Sequence, residues 1–299
     1  MAIGRTNASV GGGGSQLKAI IDGRKDSSYL FYYFSGTSVN NLISYNDTEN
    51  ATSMRDMFYY CTKLTTIPLL NTSKVKNMWE MFYSCLKLTS IPLLDTSNVT
   101  KMYAMFCNCY NLASIPLLDT SNVENMQNMF SSCYKLTTIP QLNTSKVTNM
   151  DGMFGGCSNL TSIPLLDTSN VTRMWGMFNN CEKLTTIPQL NTSKVTDMEN
   201  IFVYCYKLTS IPALDVSNVT TFSRAFDGCY NLESIEMTGM KVSFNISSST
   251  KFTREALVVI LNNLATVSTS QTLKMGAENL AKLTEEDKAI ATNKGWTLA

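Results

Sequence analysis

The residues most able to do chemistry recur with a fixed period. Eight of the nine cysteines, Cys61, Cys85, Cys109, Cys133, Cys157, Cys181, Cys205 and Cys229, stand 24 residues apart. If equivalent positions stack, such thiols come within disulfide range, or form a rack of metal ligands. One thiol per repeat lacks the paired ligands of a zinc site, and cysteine is small and apolar enough for a tight inner column, so the column reads as core. Cys107 lies off the period and is expected nearer the surface, as the one readily reactive thiol. A second column alternates Asn and Asp: Asn71, Asp95, Asp119, Asn143, Asp167, Asn191 and Asp215. One mixed Asx per repeat is thin for a calcium ion, which takes six to eight oxygens, so turn-capping is the reading and no metal is assigned. Histidine is absent, which removes imidazole acid-base catalysis, Ser-His and Cys-His nucleophiles and His-ligated metals. Carboxylates paired for glycoside hydrolysis cannot be picked out, because the acids outside the Asx column are scattered. Thr/Ser doublets such as Thr65-Thr66 and Thr89-Ser90 invite an ice-binding reading. Adjacent strand residues face opposite sides, which argues against a flat two-column face. The Asn-x-Ser/Thr sequons, such as Asn71 and Asn98, are by-products of the repeat. No catalytic residue and no cofactor is assigned, and the chain reads as non-enzymatic.

Candidate ligand-binding residues come from positions the period leaves free. The residue after the first Met of each repeat runs Arg55, Trp79, Tyr103, Gln127, Asp151, Trp175, Glu199, Ser223. The residue after Cys runs Thr62, Leu86, Tyr110, Tyr134, Ser158, Glu182, Tyr206, Tyr230. Tyr59, Tyr60, Tyr83 and Tyr204 form a third set. Variable positions beside constant core columns should be exposed, and large aromatics there favour ligand contact at low entropic cost. Trp79, Tyr103, Trp175, Tyr83, Tyr110 and Tyr134 are therefore the candidates, with side-by-side packing along the surface as the alternative. Stacked repeats would hold Trp79 and Tyr103 about 5 Å apart, close enough for one sugar ring to span both.

The elements that position these residues follow from the repeat. The unit is Met-x-x-Met-Phe-x-x-Cys-x-x-Leu-Thr-x-Ile-Pro-x-Leu-Asx-Thr-Ser-x-Val, and eight copies run from 54 to 245. All seven prolines, Pro68 through Pro212, obey the period. A worn copy precedes them, with Phe34, Ile43, Asp47, Thr48 and Asn50 on repeat positions and Thr37 in the Cys place. Leu-Thr-x-Ile-Pro-x-Leu is short and Thr/Ile-rich, so it predicts a strand with Pro at its end. Val75, Met78, Met81, Phe82 and Cys85 fall at spacings of three and four, which predicts a short helix with one inward face. The fold class is thus an α/β repeat, a solenoid with a parallel β-sheet and short helices.

Composition narrows the function. The 299 residues carry a net charge of +1, and only 16% are charged against about 25% in an average domain. Without a basic excess, nucleic-acid binding loses its driving force. No run approaches the ~18 consecutive apolar residues of a membrane span, so no membrane insertion is expected. No leader is visible at the N-terminus.

The unit resembles the BspA-like leucine-rich repeats, in the variant reading Met-Phe-x-x-Cys-x-x-Leu-x-x-Ile-Pro-x-Leu-Asp-Thr-Ser-Asn-Val-Thr. Residues 95–100 and 167–172 carry the Asp-Thr-Ser-Asn-Val-Thr part unchanged. The resemblance covers residues 30–245 and implies a leucine-rich-repeat solenoid that binds rather than transforms its ligand. The family includes bacterial surface proteins and phage tail-region proteins.

The ends complete the domain plan. Residues 1–15, ending Gly-Gly-Gly-Gly-Ser, read as a flexible arm. Their Met-Ala-Ile-Gly-Arg start resembles phage structural proteins, which implies attachment to a virion. Residues 16–53 form an N-terminal cap with the degenerate repeat. Residues 246–299 predict a small α+β C-terminal cap. In and beside it, the sequence predicts a strand within 241–247, a helix after Thr253, a strand near 273–275, a capping box at Thr284 to Asp287, a stop at Gly295 and a closing strand. The 283–299 stretch resembles the module following such repeats in phage and prophage proteins. The expected function is a phage tail-associated receptor-binding protein, assembled in the bacterial cytoplasm, that recognises a cell-surface glycan or protein. A bacterial surface adhesin and a structural virion decoration protein are the alternatives, and an oligomer is compatible with each.

Overall fold

The computed structural model describes residues 25–299, so the expected arm at 1–15 and the first residues of the cap lie outside the described residues. Two compact units divide the chain, Met1–Val147 and Thr148–Ala299. Both are built from leucine-rich-repeat coils that follow the 24-residue period.

Inside each unit the constant columns are buried. In one coil Val75, Met78, Met81, Phe82, Cys85 and Leu88 are all fully enclosed. Phe31, Phe58, Phe82, Phe106 and Phe130 stack with nearly parallel rings 5.4–5.7 Å apart. Phe154, Phe178, Phe202 and Phe226 do the same in the second unit at 5.7–5.9 Å. Truncating one such ring to Ala costs about 3–5 kcal/mol by analogy with other cores. In the first described coil the ring that joins the stack is Phe31, not Phe34, because the chain there is longer by three residues. Seven of the column thiols donate to a Phe carbonyl of the preceding coil, as Cys85 Sγ does to Phe58 O at 3.1 Å and Cys109 Sγ to Phe82 O at 3.1 Å.

The segment expected as a helix is not one. Its alternate N–H groups leave the coil and donate to the next, from Met54 to Asn77 O, Asp56 to Trp79 O, Phe58 to Met81 O and Tyr60 to Tyr83 O. The intervening ones close tight turns, Met57 to Met54 O, Tyr59 to Asp56 O and Cys61 to Phe58 O. An α-helix needs uninterrupted right-handed backbone, whereas Asp56, Tyr60, Glu80 and Ser84 all have φ between 52° and 60°. Each such residue costs about 1–2 kcal/mol when it is not glycine. The N–H of each of these residues makes the inter-coil bond, which offsets that strain.

The segment expected as a strand differs as well. Leu64, Ile67 and Leu70 point inward and Thr65, Thr66 and Leu69 outward. A burial period of three is that of polyproline II, not the period of two of a strand. Both residues of the Thr/Ser doublets are therefore exposed in most coils, and the alternation argument against two exposed columns fails. Among the described residues, paired strands form in this segment only at β1 (Ser210–Ile211) and β2 (Ser234–Ile235), in parallel. The reason is chemical: Glu236 stands in the proline column and its N–H donates to Ile211 O at 3.1 Å, a bond no proline can make.

The Asx column caps turns as expected. Asp95 Oδ1, for example, accepts from Ser97 N at 3.1 Å and Ser97 Oγ at 2.6 Å. Two expectations about exposure are corrected. Cys107 is buried at 8% exposure, and burial pushes its thiol up to about 11, so it carries little thiolate at neutral pH. Asp151, in a column expected outside, is buried at 5%.

The C-terminal part holds the regular elements. Strands β3 (Phe244–Asn245), β4 (Gln271–Lys274) and β5 (Trp296–Leu298) form a parallel sheet in that order. Helices α1 (Arg254–Asn263), α2 (Ala277–Leu280) and α3 (Glu285–Thr292) connect them. Thr253 caps α1 by accepting from Ala256 N, and Thr284 and Asp287 form a reciprocal capping box on α3. Gly295 follows α3 at φ 86°. Arg254 grips Asp287 through two 2.7 Å bonds, and this holds the Asp287 carboxyl below the usual carboxylate range.

Candidate binding site

The candidate site is built on a turn that follows each buried Val. In that turn Asn77 Oδ1 accepts Trp79 N at 3.0 Å, and Asn125 Oδ1 accepts Gln127 N at 2.8 Å. Parallel bridges Ser53–Asn77 and Asn77–Lys101 hold successive turns in register. The next side chains, Arg55, Trp79 and Tyr103, consequently stack along the first unit. The Arg55 guanidinium carbon lies 4.6 Å from the Trp79 ring centroid and its Nε is 3.1 Å from Asp56 Oδ2. Tyr103 meets Trp79 on the following coil at 5.1 Å, but with ring planes 65° apart. The pair offers a corner, with Trp79 already engaged by Arg55, and Tyr103 is the ring left to the next coil.

That corner opens on a cleft of about 640 Å³ whose lining includes Trp79, Tyr103, Lys101, Glu124, Asn125 and Gln127. An aromatic wall beside an ammonium, a carboxylate and two amides can pack against the apolar face of a sugar while donating to and accepting from its hydroxyls. Lys101, Glu124 and Asn125 were missed by sequence reasoning. The signal for Lys101 and Asn125 was a second Asx column, Asn77, Asn125, Asn149 and Asp197, interrupted by Lys101 and Arg173; Glu124 lies one position before that column.

The other candidates stand apart from this cleft. Tyr83 stacks on Tyr59 at 4.8 Å and Tyr59 on Tyr32 at 4.9 Å; burial, then Tyr83, pushes Tyr59 up to about 12. Tyr110 and Tyr134 stack on each other at 4.6 Å. Trp175 lies in the second unit, 42% exposed. Its N–H donates to Asp151 Oδ1 at 2.8 Å, while Arg173 bonds Asp151 Oδ2 at 2.7 Å. Arg173 occupies the place of the turn-capping Asx, and Asp151 supplies the missing oxygen from the coil before, which explains its burial. Sequence reasoning also missed that Asp56 and Glu80 adjoin on successive coils. Burial, then Asp56, raises the Glu80 carboxyl above its ordinary value. Neither residue lines the cleft.

Among the described residues no group of three or more Cys, Asp or Glu could hold a metal ion, and no helix is long and apolar enough to cross a membrane.

Solved structures similar to this chain include a leucine-rich-repeat protein of T. pallidum (26% identical over 59% of this chain and 80% of the other, TM-score 0.45). A leucine-rich cell-surface protein of Faecalibacterium prausnitzii A2-165 is 19% identical over 79% and 80%, TM-score 0.30. A leucine-rich-repeat protein of Bacteroides ovatus ATCC 8483 is 16% identical over 84% and 82%, TM-score 0.32. No curated protein matches the chain. The family described as "Mycoplasma protein of unknown function, DUF285" matches at residues 25–139, 110–202, 135–240 and 185–257. With matches running from residue 25 to residue 257, the chain belongs to the DUF285 family.

Proposed function

We propose that this chain is a non-catalytic binding protein that recognises a bacterial surface carbohydrate through the cleft beside Tyr103, as part of a phage tail region. The cleft carries the reading: an aromatic wall, the Lys101 ammonium and the Glu124 carboxylate line one concave site of about 640 Å³. Sugar hydroxyls donate and accept at once, so a cation and a carboxylate together satisfy them, and the ring's apolar face packs on the aromatic. Support for the virion setting comes from the resemblance of the two ends to phage proteins. A receptor of bacterial origin follows from that setting.

The test is binding of the labelled chain to intact bacteria and to an array of bacterial glycans. Tyr103→Ala is expected to weaken binding by about 1 kcal/mol or more, with melting nearly unchanged. Tyr134→Ala, outside the cleft, is expected to bind as the parent does. Equal binding by the Tyr103→Ala variant on every surface tested would overturn the reading.

A further inference from the structure

The second unit repeats the cleft with different side chains. Moving five repeats along the chain takes Trp79 to Glu199, Lys101 to Thr221, Tyr103 to Ser223, Glu124 to Phe244 and Asn125 to Asn245. All of these line a second cleft, of about 500 Å³. The coils supply one side and strands β3 and β4 the other, ending at Lys274.

Its floor and rim are fixed before any ligand arrives. Phe222 and Phe244 are buried and meet edge to face at 6.2 Å. Ser243 donates through both N and Oγ to Gln271 Oε1, each at 2.9 Å, and its Oγ accepts Thr272 N at 2.9 Å. Thr221 Oγ1 donates to Asp197 Oδ1 at 2.9 Å. The charged groups are left with capacity. The Glu199 carboxylate and the Lys274 ammonium have no hydrogen-bond or ionic partner among the described residues, and Arg224 spends its Nε on Asp227 at 3.1 Å. Of the charged residues lining the cleft, Arg224 is paired with Asp227 beside it, and Glu199 and Lys274 offset each other, so no strong net charge draws an anion. It offers one strong acceptor and two strong donors around an apolar floor.

We propose that this second cleft is a binding site for an uncharged saccharide, whose hydroxyls donate to Glu199 and accept from Lys274 and Arg224. The C-terminal module then does more than cover the last coil, because it supplies half of a site. The inference stands apart from the Tyr103 reading, since it uses none of the same residues.

The test is an amide-resolved NMR titration of the full chain with neutral hexasaccharides (maltohexaose, laminarihexaose, chitohexaose) and with hexagalacturonate as the anionic comparison. At least one neutral probe is expected to shift the amides of Thr221, Ser223, Phe244 and Lys274. Those shifts persist in Tyr103→Ala, and Glu199→Gln or Lys274→Gln raises the Kd five-fold or more without changing the rest of the spectrum. Loss of shifts at Lys101 and Gln127 alone would count against the Tyr103 cleft and leave this one standing. The proposal is overturned if no neutral probe moves the four amides, if only hexagalacturonate does, or if both variants bind as the parent does.

Discussion

The thiol column shows how much a single residue type can carry. Phe58 O accepts Cys61 N at 3.2 Å within its own coil and Cys85 Sγ at 3.1 Å from the next. Cysteine supplies a weak donor for the carbonyl's second lone pair while remaining apolar enough for a fully enclosed site. That role was legible in the period. The burial of Cys107 was not, because its column holds Tyr83 one coil earlier and Ser131 one coil later, and neither type signals an interior. With its thiol pushed up to about 11, Cys107 is about 0.1% thiolate at pH 8. Alkylation of the native chain at that pH is therefore expected to leave all nine cysteines unmodified over a time in which urea-unfolded chain takes up nine labels. Native Cys107 reacting at the rate of a free thiol would contradict its burial. The residues lining the candidate cleft were legible only in part for a related reason. Stacking chiefly brings together residues of one column, so Trp79 met Tyr103 and Tyr110 met Tyr134, while contact between columns is the exception, as for Tyr204 and Tyr206 at 5.9 Å.

At the scale of elements, the inward positions were readable but the backbone between them was not. Spacings of three and four belong to a helix, yet the turn ladder in which alternate N–H groups reach the next coil buries the same residues. What distinguishes the two is left-handed backbone at Asp56, Tyr60 and their equivalents, a signal those columns carry only where they hold Asn or Gly, as at Asn108, Gly152, Gly176 and Asn200. The polyproline-like arc was hidden by its Thr and Ile content, although the spacing of Leu64, Ile67 and Leu70 carries its period. Helices α1 and α3 were legible because caps mark them, at Thr253 and at Thr284 with Asp287, whereas the short α2 has no side-chain cap and was missed. The arc makes a distinctive prediction. Glu236→Pro removes only the bond from Glu236 N to Ile211 O and restores the column's usual residue. Its cost should be about 1 kcal/mol, read as a small fall in the urea midpoint, with faster amide exchange confined to β1 and β2. A loss of about 3 kcal/mol, as for proline inside a helix, would mean the arc is not proline-tolerant at that position.

Across the whole molecule the buried thiols act together, because every coil repeats the same ionisable group. Six of them, Cys85, Cys107, Cys109, Cys181, Cys205 and Cys229, are raised above the ordinary thiol value, each chiefly by burial. In the unfolded chain the same thiols ionise near 8.5. An acid whose folded value is raised contributes stability that is complete below the unfolded value and is lost as pH rises towards the folded one. Above about pH 8.5 the unfolded chain therefore binds fewer protons than the folded chain, and stability falls by about 1.4 kcal/mol per pH unit for each thiol. Six thiols together make that about 8 kcal/mol per unit, comparable with the ~5–15 kcal/mol that holds a typical domain folded. Tyr59, pushed up to about 12, adds a further loss above pH 10. With no histidine in the sequence, no imidazole adds a second transition near neutrality. The chain is expected to keep its circular dichroism from pH 6 to 8 under reducing conditions and to unfold cooperatively within about two pH units above the thiol value. Replacing Cys181 and Cys205 by Ala removes two of the ionising groups, so the alkaline transition should become shallower even though the cavities lower stability at pH 7. A chain that stays folded through pH 11 in reductant, or a double variant whose alkaline transition is as steep as the parent's, would show that the thiol column does not set this limit.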